Sequence, residues 1–115
     1  MSTPQPVLDH HCHLDPDAGL GLDAVDRFAA AGGTHLLIIN KPSWHLGPLP
    51  TDAAAFEAVF ARTIDIVDAA AERLPGTAWG CLGVHPACIT QLIDRGGRTP
   101  DAAAALMCAG LDRAV

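Results

Sequence analysis

Positive charge is scarce in this chain. Lys41 is its single lysine among seven basic residues, and thirteen carboxylates leave a formal net charge of −6 at pH 7. An acidic surface gives no long-range attraction for a nucleic-acid backbone, so charge does not support nucleic acid as a partner. Any phosphate handled here needs a local cation, and a metal ion is the obvious one. The four cysteines form no C-x-x-C pair, and the nearest two, Cys81 and Cys88, have six residues between them; a disulfide framework is not expected. There is no run of 18 apolar residues and no basic-then-apolar leader, so no membrane partner is expected and a reduced, cytoplasmic setting is. Charged residues are only 17% and hydrophobic ones 50%, which excludes a disordered chain. A length of 115 residues suits one domain at most, spanning 1–115.

What the chain does have is the run Pro6-Val7-Leu8-Asp9-His10-His11-Cys12-His13-Leu14-Asp15. A short apolar stretch ends in one carboxylate and three imidazoles. On a strand, alternation predicts Asp9, His11 and His13 on one face, with His10 and Cys12 on the other. Residues two apart lie roughly 6–7 Å from each other along a strand, so two imidazoles can converge on one ion. Imidazole is the commonest side-chain ligand for zinc and its neighbours. The plainer alternative is a surface cluster or a tag remnant, but tags rarely carry an interrupting cysteine and flanking aspartates.

Further along, strand and helix signals alternate. Val7 to Asp9 reads as a first strand, and Asp15 and Asp17 as turn formers. Leu22, Val25, Phe28 and Ala29 recur at helical spacing until Gly32-Gly33. Thr34 to Asn40 is a continuous apolar strand of the kind buried on both faces. After a Pro-rich loop, Thr51 and Asp52 can cap a long helix with a stripe of Phe56, Val59, Phe60, Ile64, Val67, Ala71 and Leu74. Ala78 to Val84 reads as a third strand followed by His85-Pro86, and Asp101 to Arg113 as a last helix capped by Thr99 or Asp101. Three strand–helix alternations predict an α/β chain with a parallel sheet.

In such sheets chemistry gathers at the carboxyl ends of the strands. Asp9, His11 and His13 fall at the first end, Asn40 and Lys41 at the second, and His85 at the third. His35 falls at an amino end and reads as structural. Lys41 is either a solvated loop lysine or a phosphate contact. His85 is either a hydrogen-bonded structural residue or, with the amino terminus of the next helix, an anion holder. Trp44 and His45 sit in the Pro-rich loop, packing or touching substrate, and Cys12 reads as a small buried hydrophobe.

Asp9-His10-His11-Cys12-His13-Leu14-Asp15 resembles the opening Asp-x-His-x-His of the TatD-related metal-dependent hydrolases, a branch of the amidohydrolase-like (β/α)8 TIM barrels. Gly83-Val84-His85-Pro86 is similar to that family's Gly-x-His-Pro. Gly32-Gly33-Thr34-His35 and Asn40-Lys41-Pro42-Ser43-Trp44 look like its archaeal predicted-hydrolase subgroup. The resemblance covers the chain but reaches only the amino-terminal three βα units of the eight-unit barrel. It implies one or two divalent metal ions, zinc, manganese or similar, activating water for attack on an ester, above all a phosphodiester. His11 and His13 map onto the first metal ligands and Asp9 onto a supporting position beside them. His85 maps onto a substrate or outer-shell contact, with Lys41 as a second substrate-binding candidate.

The family's remaining ligands, a Glu, two His and an Asp, lie on later strands, and a full barrel needs about 200–250 residues. The expectation is therefore an incomplete barrel, without appreciable turnover on its own, whose unpaired sheet edges invite association. Two alternatives stand beside it: an amidohydrolase acting on C–N bonds of a small molecule, and a non-catalytic α/β interaction module.

Overall fold

The computed structural model describes residues 3–115. Three strands, β1 (Leu8–Cys12), β2 (His35–Ile39) and β3 (Thr77–Cys81), alternate with α1 (Asp23–Ala30) and α2 (Ala54–Ala71). A short 3-10 turn (Ser43–His45) follows β2, and α3 (Cys88–Asp94) and α4 (Pro100–Asp112) follow β3. The sheet is parallel throughout, in the order β1-β2-β3. The α/β class and the alternation read from sequence are thus present. Among the described residues no helix is long and apolar enough to cross a membrane.

Local chemistry sets the helix boundaries. Gly32 takes φ +98° after α1, and the N–H groups of Gly33 and Gly32 donate to the Phe28 and Ala29 carbonyls at 2.9 and 3.0 Å. This is a Schellman stop, which needs the left-handed residue that glycine supplies. Asp52 Oδ1 accepts from the Ala55 N–H at 3.0 Å at the mouth of α2. Thr99 Oγ1 accepts from the Ala102 N–H at 3.2 Å, and Pro100 occupies the first turn of α4.

The helix stripe expected for α2 is rotated from its sequence reading. Ile64 is 48% exposed, whereas Thr63 and Ala70 are buried. Thr63 tolerates burial because its hydroxyl donates to the Val59 carbonyl at 3.0 Å, leaving only its methyl to pack. One half of α2 joins α1 and the sheet in a core of Cys12, Val25, Leu36, Ile38, Ala70 and Ala78. The other half builds a second core with α3 and α4 from Phe56, Phe60, Cys88, Leu92, Ala103 and Leu106. Gly110 of α4 lies against the Phe56 ring, where an added Cβ would come within 2.5 Å.

The sheet is covered on one face. Leu36, Ile38 and Ala78 are buried on the helix side. On the other side Leu8, His35, Leu37, Ile39, Trp79 and Cys81 are half-exposed or exposed, with His35 stacked on Trp79 at 5.6 Å. β2 is therefore buried on one face, not on both as its continuous apolar run predicts. His35, read as structural, is held by Thr34, whose Oγ1 lies 2.7 Å from its Nδ1.

Candidate functional site

β1 departs from simple alternation before it reaches its carboxyl end. Its register against β2 runs Leu8 with His35, Asp9 with Leu36, then Cys12 with Ile38, so the ladder shifts between Asp9 and Cys12. One extra residue on β1 is a bulge, which resets the side-chain phase. Asp9 and Cys12 consequently pair with Leu36 and Ile38, two residues of the covered face, and the expected grouping of Asp9 with His11 and His13 is broken. Asp9 Oδ1 instead accepts the backbone N–H of His11 at 3.0 Å. Cys12 packs in the core as expected. Burial, with the nearby Asp9 charge, pushes its thiol up to about 11.

Within the bulge and just beyond it, His11 and His13 come together with ring centroids 5.2 Å apart. His13 Nδ1 lies 2.9 Å from the Ile39 carbonyl oxygen. A carbonyl can only accept, so Nδ1 carries the hydrogen and, in the neutral ring, Nε2 keeps its lone pair. That is the arrangement in which backbone orients a metal-binding imidazole. His11 and His13 form one wall of an open depression of about 300 Å³, which also reaches Ile39, Asn40, Lys41, Pro42, His45 and His85. Five of the six residues expected at the strand ends, His11, His13, Asn40, Lys41 and His85, thus line one depression at the carboxyl ends of the strands. Asp9 does not line it and touches it only through the His11 backbone.

One lining residue, His45, and one residue packed beside it, Trp44, were missed or left undecided. His45 reaches the depression from the 3-10 turn; its only sequence signal is proximity to the second strand end. The Trp44 ring stands nearly perpendicular to those of His85 and His45, with centroids 5.5 and 5.9 Å away, so it packs against two of the imidazoles. Asn40 bonds across to the β3 exit: its Oδ1 accepts the Gly83 N–H at 2.8 Å and its Nδ2 donates to the Gly83 carbonyl at 3.0 Å.

The anion-holding terminus expected beside His85 is not free. The Ala87 N–H donates to His85 Nδ1 at 3.1 Å, and the N–H groups of Cys88 and Ile89 donate to the carbonyls of His85 and Pro86 at 2.9 and 3.4 Å. Those three donors are committed within the turn.

Asp15 and Asp17 do form a turn, with Asp15 Oδ1 accepting the Asp17 N–H at 2.9 Å. They also share a partner that sequence did not indicate. Arg62 of α2 donates from Nη2 to Asp15 Oδ1 at 2.7 Å, from Nε to Asp15 Oδ2, and from Nη2 to Asp17 Oδ2. Burial opposes the Asp15 charge, but the Arg62 hydrogen bonds, the Asp17 N–H and the Arg62 charge outweigh it and hold the carboxyl below its usual value. Gly19 and Leu20 close the same loop back on the His13 carbonyl, Leu20 N–H donating to it at 3.0 Å. The segment leaving His13 is therefore pinned to α2.

Two imidazoles fit a metal ion as part of a ligand set. Among the described residues no three His, Cys, Asp or Glu side chains are placed to hold one, and a catalytic zinc normally has three protein ligands.

The chain is 33% identical over 89 residues to the uncharacterized protein MJ1127 of Methanocaldococcus jannaschii; the match covers 76% of this chain and 29% of that protein. The chain thus spans under a third of the length of this relative. No protein-family model matches the chain, and no solved structure does.

Proposed function

We propose that this chain carries the amino-terminal part of a divalent-metal-dependent hydrolase of the TatD-related type, on the first three βα units of a (β/α)8 barrel. The observation that carries the reading is the His11–His13 pair at the end of β1, with His13 oriented by the Ile39 carbonyl so that Nε2 is available. Lys41 and His85 lie on the same depression, where a cation and an imidazole can contact an anionic ester. The uncovered sheet face fits a wall of a barrel interior, and the match to 29% of a longer protein is compatible with a site completed by further strands. A bound metal ion would supply water activation and polarisation of the scissile bond. His11 and His13 would supply two of its ligands, and Asp9 would steady the His11 backbone. The substrate class most in keeping with Lys41 and the resemblance is a phosphodiester.

The test is competition for zinc against a chromophoric chelator. The chain is expected to bind zinc, and His11→Ala or His13→Ala to weaken binding by roughly tenfold or more, while His35→Ala leaves it unchanged. Equal affinity in all four proteins would overturn the assignment. With bis-p-nitrophenyl phosphate and added manganese, residues 1–115 are expected to show no turnover above that of His11→Ala.

A further inference from the structure

The Asn40 side chain does at the top of the sheet what a further ladder rung would do. Its two hydrogen bonds to Gly83 are reciprocal, one accepted and one donated, across 43 positions of sequence. The orientation of the amide is unambiguous, since exchanging its oxygen and nitrogen would set donor against donor and acceptor against acceptor. The same Nδ2 also donates to the Lys41 carbonyl at 3.1 Å. One side chain therefore ties the β2 exit, bearing Lys41, to the β3 exit, bearing His85 two residues beyond Gly83.

Two imidazoles close to this tie, His13 and His85, are held in opposite tautomers. His13 Nδ1 meets the Ile39 carbonyl, an acceptor, and so bears the hydrogen. His85 Nδ1 meets the Ala87 N–H, a donor, and so must accept. In the neutral ring the His85 hydrogen then resides on Nε2. Both residues line the depression; the free lone pair of His13 is on its Nε2, whereas His85 has an N–H at that position.

We propose that Asn40 is a positioning residue, which by clamping Gly83 holds the β3 exit so that His85 stays an Nε2–H donor on the depression that His13 also lines. The depression is then divided into a ligand wall at the β1 end and a donor wall at the β3 end. An anionic oxygen is the group such a donor wall accepts. The functional meaning of this division rests on the hydrolase reading above, but the geometry can be tested without any metal.

The experiment is long-range proton–nitrogen NMR of the histidine rings of the full chain, metal-free, with amide hydrogen exchange at Gly83. Expected in the wild type are an Nε2–H pattern for His85, an Nδ1–H pattern for His13, and slow exchange of the Gly83 amide. Asn40→Asp keeps the acceptor but loses the donor, and Asn40→Ala loses both. Each is expected to move His85 towards averaged tautomers while the His35 signals stay in place. An Nδ1–H pattern for wild-type His85, fast Gly83 exchange, or an unchanged His85 in both folded variants would overturn the proposal. If Asn40→Ala fails to fold, Asn40→Asp supplies the reading, and an unchanged His85 in whichever variant folds overturns the proposal. Failure of zinc to bind would sink the metal reading and leave these outcomes intact.

Discussion

Asp15 and Arg62 show how much a single contact can hide from sequence. An Asp-Pro-Asp stretch has turn chemistry, and nothing within it names a partner 47 positions away. The Asp15 side chain is only 6% exposed and that of Arg62 38%, so removing the guanidinium leaves a buried carboxylate unpaired. Arg62→Ala is expected to cost about 2 kcal/mol, less than a fully buried pair because the guanidinium is partly solvated; urea unfolding measures it. The folded pKa of Asp15 is depressed. Its stabilisation is therefore present above the unfolded value of about 3.9 and is lost as pH falls through the folded one. The stability gap between wild type and Asp15→Asn should accordingly be widest near neutrality and shrink below pH ~4. A gap independent of pH would contradict the pairing. The thiols divide in a similar way. Cys12 and Cys88 are buried with raised pKa values, while Cys81 and Cys108 are exposed. Mass spectrometry after brief iodoacetamide treatment at pH 8 should find Cys81 and Cys108 labelled first.

At the scale of elements, the sequence is most legible where a rule is local. The glycine stop after α1, the Thr99 cap of α4 and the existence of strand β2 all follow from neighbouring residues. Thr99→Ala is expected to lower stability by about 1 kcal/mol through loss of the Ala102 hydrogen bond, seen as a lower urea midpoint at unchanged slope. The failures arise where tertiary contacts decide. Alternation placed Asp9 with His11 and His13, but the register shift in β1 removes it from the depression. Periodicity put Ile64 in the α2 stripe, yet Thr63, with its hydroxyl satisfied in its own helix, takes the buried place. That His11, His13, Lys41 and His85 share one depression was legible, because parallel strands deliver their carboxyl ends to one rim. Asn40 was located at that rim, but its clamp on Gly83 was not, since an amide's partner depends on how two loops approach.

The whole molecule is long and thin. Its extents are 61 × 24 × 19 Å and its radius of gyration 16.4 Å, against about 13 Å for a compact chain of this length. α2 bridges two separate cores, each of its halves serving one of them. With one sheet face uncovered and Trp79 half-exposed, light scattering on the isolated chain should show concentration-dependent association, and Trp79→Glu should reduce it.

The central claim is that His11 and His13 hold a metal ion at the carboxyl end of the sheet. Manganese titration followed by paramagnetic broadening of assigned NMR signals tests it most directly. His11 and His13 should broaden first, with Lys41, His45 and His85 next, and His35 at the opposite end of the sheet should stay sharp. Broadening centred on Asp15 and Asp17, or spread evenly over the carboxylates, would contradict the claim.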